Sequence, residues 1–262
     1  MLFDLRGRRK RVVQVVYAML AVMMGASLFL VVGPVNLGDL VGGGSSTSAS
    51  SVSLDRAAEL DHKLAKDPQN QALLLGLTKE RITAGNNLAQ IDPQTQAAVP
   101  TAESAQQYQL AADAWNRYLK TKPPKPNPNV ALLVANSLLT LAQTATTPEE
   151  AKADAADAAK AQQLYADARP STGAYSSLAY YSYAALDFKQ GDAAAKQAQA
   201  EAKSAAERKQ VKTTLAGIRK QAKKYAKQLA AVQKAQQGQG KQELQNPLGG
   251  LSGAGAGAAP VP

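Results

Sequence analysis

The stretch PSTGAYSSLAYYSYAALDFKQGDAAAKQA, Pro170 to Ala198, decides how the chain folds. Its large apolar and aromatic residues include Leu178, Tyr180, Tyr181, Tyr183, Leu186 and Phe188, without the strict alternation of a strand. The reading is a helix over Ser171 to Lys189, set off by Pro170, then a turn at Gly191-Asp192. An Ala-rich helix follows, in which Ala194, Ala195 and Ala198 are the small packing residues.

Outward from this stretch the same pattern recurs. Leu54 to Lys66 reads as a short amphipathic helix ended by Asp67-Pro68. Asn70 to Ala84 follows, with Leu73, Leu74, Leu77 and Ile82 apolar and Gly85 as a C-terminal stop. A polar loop with Pro93 and Pro100 leads to Thr101, an N-cap residue with Glu103 close behind. The helix it starts carries Tyr108, Ala111, Ala112, Trp115, Tyr118 and Leu119, and PPKPNPN then breaks the chain. Val130 to Ala142 is strongly apolar. Thr147-Pro148-Glu149-Glu150 starts the next helix, with Pro in the first turn and acids favouring the dipole. That helix runs to about Arg169 before Pro170. No segment alternates as a strand does, so the fold class is all-α.

Prolines 68, 128 and 170 each precede an apolar helix that is followed by a second one. DPQNQALLLGLTKERITAG (Asp67 to Gly85) and Pro170 to Ala198 resemble the tetratricopeptide repeat, a helix–turn–helix unit that stacks into a solenoid. The prolines stand about 60 and 42 residues apart against a motif period of 34, so the resemblance implies degenerate repeats with expanded loops. An irregular helical bundle is the other architecture that fits. Such arrays bind peptides along their first helices. The resemblance therefore implies candidate groove contacts at Lys79, Asn136 and Tyr181, although Trp115, Tyr180, Tyr181 and Tyr183 also suit core packing.

The start of the chain has a different character. Arg6, Arg8, Arg9, Lys10 and Arg11 precede VVQVVYAMLAVMMGASLFLVVG, Val12 to Gly33. As a helix this block would reach roughly 33 Å, enough for a hydrocarbon core of about 30 Å. The basic cluster then sets the N-terminus in the cytoplasm and the remainder outside. A cleaved signal peptide is the rival reading; its apolar region is shorter, and no A-x-A-like site follows here. Ala21 and Gly25 form a small-xxx-small pair of a kind common by chance. The expected organisation is a cytoplasmic segment 1–11, a transmembrane helix 12–33, a Gly/Ser linker 34–53, a helical domain 54–235 and a disordered tail 236–262.

Val211, Leu215, Ile218, Ala222, Tyr225, Leu229 and Val232 form an apolar seam spaced four and three residues apart. The other faces of this last helix are basic, and between Lys196 and Lys234 only Glu201 and Glu207 oppose the lysines and arginines. The whole chain carries a net charge of +10. A terminal helix capping the array is the main reading of the seam, with a coiled coil as the other. The basic faces suit anionic lipid headgroups or an acidic partner.

The chain has no cysteine and a single histidine, His62, on a short charged helix. Thiolate chemistry is excluded, and histidine-based acid–base or metal sites have almost no material. The acids of EEAKADAADAAK, interleaved with Ala, read as a solvated face. The expectation is a protein without catalytic, cofactor or metal site that binds other proteins. Its layout resembles the single-pass, tetratricopeptide-containing ancillary subunits of the Sec translocon. MLFDLRGRRKRVVQVVYAML resembles the start of membrane-anchored periplasmic foldases, although no foldase domain follows. The resemblance implies contact with the translocon or exported clients, in or at the cytoplasmic membrane, and no nucleic acid. An envelope or cell-division scaffold is the alternative. Inverted topology would make the basic helix a candidate for ribosome or nucleic-acid contact.

Overall fold

The computed structural model describes residues 46–92 and 98–245. It is all-helical apart from one short hairpin. The helices are α1 (Ser46–Lys66), α2 (Gln71–Leu88), α3 (Ala102–Lys120), α4 (Pro128–Thr144), α5 (Pro148–Ala168), α6 (Thr172–Ala184), α7 (Phe188–Ala200) and α8 (Ala205–Gln245). Between α2 and α3, β1 (Gln90–Ile91) pairs antiparallel with β2 (Ala98–Val99) in a stretch expected to be loop.

Side-chain caps start most of these helices where the sequence signals them. Asn70, Thr101, Asn127, Thr147 and Ser171 each accept a first-turn backbone N–H. Each such cap stabilises its helix by typically about 1 kcal/mol. Thr147 and Glu150 complete a reciprocal capping box, and Pro148 occupies the first helical position, where no N–H is missed.

Four boundaries differ from expectation. α1 begins eight residues before Leu54, inside the predicted 34–53 linker. Ser50 and Ser53 are buried there, as small residues in a helix that packs on α2. Tertiary packing has overridden a composition that reads as tether. Gly85 does not stop its helix: α2 continues to Leu88. α6 ends at Ala184, not Lys189. The Leu186 N–H bonds Tyr183 O and the Asp187 N–H bonds Ser182 O, a Schellman pattern with Leu186 at φ 61° in the glycine position. The turn is therefore Ala185–Asp187, with Asp187 capping α7, and Gly191-Asp192 lies within that helix. Finally, α8 runs on to Gln245, into the stretch expected to be disordered from 236.

Each helix packs against the next in sequence, and α2 also meets α4 while α6 meets α8. A hydrogen bond from Tyr181 to Asn136 joins α6 to α4. The even-numbered helices thus form a continuous row. One apolar core runs through all eight helices, from Ala57 and Leu64 through Trp115, Val134 and Leu178 to Leu215 and Ile218. α5 contributes mainly alanines to it, which lets its axis lie close to α4. Among the described residues no helix is long and apolar enough to cross a membrane. Residues 1–11 and the apolar block 12–33 lie outside the described residues, as does the chain beyond Gln245.

Candidate functional site

The exposed sides of α2 and α4, neighbours in the row, carry the amides Asn86, Asn129, Asn136 and Gln143 and one lysine, Lys79, alongside Ala72 and Thr83. On α2, Lys79 and Asn86 lie two turns apart and both are exposed. On α4, Asn129, Asn136 and Gln143 repeat every seven residues and are exposed as well. The flanking caps and the buried faces (Leu74, Leu77 and Ile82 on α2; Val130, Val134 and Leu138 on α4) fix which side of each helix looks outward.

Two of the three candidate groove residues meet. The Tyr181 hydroxyl donates to Asn136 Oδ1 at 2.8 Å across α6 and α4. Tyr181 itself is only 1% exposed, and burial raises its hydroxyl pKa well above the ordinary tyrosine value. It is thus a neutral donor that holds the exposed Asn136, rather than an open contact of its own. Tyr181 takes one acceptor site of Asn136 Oδ1, which leaves the Nδ2 hydrogens of this exposed residue available as donors. Lys79 stands apart from this pair, its backbone carbonyl accepting from Thr83 Oγ1.

Asn86 carries no signal in the sequence, yet it repeats the arrangement. Tyr108 donates to Asn86 Oδ1 at 2.7 Å, and its ring lies over Gly85, where a Cβ would fall 2.5 Å from Cε1. The third instance is Tyr183, which donates to Asp192 Oδ1 at 2.8 Å while packing over Gly191, where a Cβ would sit 2.4 Å from Cε1. In both glycine cases the missing side chain admits the ring, and the next residue receives the hydroxyl.

Asp192 also anchors the last helix. Arg219 on α8 reaches it with two bonds, Nε to Oδ1 at 2.6 Å and an Nη to Oδ2 at 2.7 Å. The Arg219 hydrogen bond is the main influence holding the Asp192 carboxyl below its usual range, assisted by the Tyr183 hydroxyl and by the positive charges of Arg219 and Lys223. The fork geometry is the planar match that arginine offers and lysine does not. Lys223 stands 5.9 Å from the Phe188 ring centre. The seam that α8 lays on α6 and α7 is buried at Val211, Leu215, Ile218, Ala222 and Tyr225, and half-buried at Leu229 and Val232. Gln233 donates to Glu149 at the start of α5, so this helix reaches past its immediate neighbours.

On α5, Asp154 is pushed up to about 6, first by burial and then by the charges of Asp157 and Glu150. His62 is exposed on α1. Among the described residues no cluster of histidine, aspartate and glutamate is arranged to hold a metal ion. The basic cluster Arg6, Arg8, Arg9, Lys10 and Arg11 lies outside the described residues. No family model matches the chain, and comparison with curated proteins and with solved structures finds no match.

Proposed function

We propose that this chain is a single-pass membrane protein whose soluble part, a tetratricopeptide-like array of helix pairs, binds other proteins. In this reading residues 12–33 are the anchor, and the array stands outside the cytoplasm. There it assists the handling of secreted or membrane proteins at the translocon. The observation that carries the reading is the amide face of α2 and α4, in which the buried Tyr181 fixes the exposed Asn136. A carboxamide with its oxygen already engaged presents N–H donors in one orientation. It is suited to the backbone carbonyls of an extended peptide, whose sequence it would not need to read. The row of even-numbered helices supports the array reading, because pairs that stack in this way leave a long face open on one side.

Photoreactive residues placed singly at Lys79, Asn86 and Asn136 of the full chain, in its native membrane, test the proposal. Adducts with translocon subunits or with unfolded chains in export are expected. Adducts only with further copies of this chain would overturn the proposal and favour a scaffold, and absence of any adduct would overturn it as well.

A further inference from the structure

On α8 the side opposite the seam is a stripe of lysines. Lys209, Lys212, Lys220, Lys224, Lys227 and Lys234 are all exposed, and no acidic residue occurs between Arg208 and Lys234. Their separations bring them to the side facing away from Val211, Leu215, Ile218 and Tyr225. None of them forms an ion pair among the described residues; the salt bridge of this helix is the one made by Arg219. From the first to the last the stripe measures about 37 Å along the helix axis.

We propose that this stripe lies against the surface of an anionic bilayer. The inference rests on the anchor reading above. Three features favour a lipid surface over a protein. The charges are lysines, hydrated point charges without the fork that would match one particular carboxylate. The residues between them, among them Ala216, Ala230 and Ala231, are small and exposed, so the face lacks the aromatic or arginine anchors around which protein interfaces are built. The stripe is straight and single-signed, as a sheet of anionic headgroups requires. The chain between Gly33 and Ser46 can extend to at most about 45 Å, so an anchored domain never leaves the neighbourhood of the membrane. That tether makes each encounter intramolecular, and a stripe of modest intrinsic affinity can remain engaged.

The protein has no native cysteine, so Ala216→Cys gives a unique labelling site at the middle of the stripe. The full chain so labelled is placed in nanodiscs of phosphatidylcholine alone, or with about 30 mol % phosphatidylglycerol. Energy transfer to a lipid-borne acceptor then reports the approach of α8. Close approach is expected only in the anionic discs, with release in about 0.5 M NaCl. Each lysine removed should lower the bound-to-free ratio roughly fivefold, so the combined K220Q, K227Q and K234Q variant should lose contact by on the order of 100-fold. Arginine at the same three positions should retain it, and circular dichroism of each variant checks that α8 still folds. Equal transfer in neutral and anionic discs, or full contact in the glutamine variant, would overturn the inference. Retention of the chain on discs of both compositions reports the anchor separately, so failure of one reading is distinguishable from failure of the other.

Discussion

At Gly85 and Gly191 a tyrosine ring occupies the space where a side chain would be, and its hydroxyl bonds the following Asn86 or Asp192. Gly191→Ala would press a methyl group into the Tyr183 ring. The ring is held by its own hydrogen bond and by burial, so overpacking should cost roughly 1–3 kcal/mol, seen as a lower Tm in thermal unfolding. Gly217, exposed on α8 with nothing near its absent Cβ, predicts the opposite: Gly217→Ala should stabilise by about 0.5–1 kcal/mol. Asp154 gives a pH-dependent test. Its carboxyl titrates near 6 in the folded chain, against about 3.9 when unfolded. The folded state holds the proton longer, so this group lowers stability as pH rises from about 4 to 6, and the penalty is complete at pH 7. Asp154→Asn should therefore raise the Tm at pH 7.5 by roughly 2–4 °C, with the difference vanishing near pH 4. An equal shift at both pH values would count against it.

Among the elements, α8 depends most on a few specific contacts. Its buried seam supplies the packing, while Arg219 on Asp192 fixes its register against α7. Asp192→Asn keeps the shape but removes the charge. Hydrogen exchange of the backbone between Val211 and Tyr225 should then quicken at pH 7, with α1 to α4 unchanged. The Asp192 pKa is depressed in the folded chain, so the native clip is present above the ordinary carboxylate range and is lost as pH falls through the lowered value. Wild type and variant should accordingly converge in strong acid. The capped helix starts at Thr101, Thr147 and Ser171 were legible in sequence because a cap is a local bond, closed within three residues. In the sequence Gly85 and Gly191 look like punctuation, yet each serves a ring from another helix, 23 and 8 residues away in the chain. The Ser-rich start of α1 looked like tether because its helical state rests on burial against α2. The helical spacing of Tyr181 already suits it to the core, but its bond to Asn136 is hidden in the sequence, since that partner lies 45 residues upstream.

The whole molecule joins three parts: an apolar N-terminal block, a row of helices with an amide face, and a basic last helix that packs on the end of the row. The row and the seating of the last helix follow from packing between sequential helices, and one core unites them. Asn136→Ala removes the acceptor of the buried Tyr181 hydroxyl and should lower stability by about 1–3 kcal/mol; in the folded variant, checked by circular dichroism, cross-linking from Lys79 should weaken by several-fold if the amide face holds a partner. A merely structural Asn136 would leave that yield unchanged. The central claim is that a cytoplasmic-membrane anchor carries this helical array on the outer side. Protease added to intact spheroplasts tests it most directly. The account predicts that residues 46–245 are digested without lysis while a short fragment containing the anchor survives in the membrane. Protection of the array until the spheroplasts are broken, or its release as a soluble protein, would contradict it.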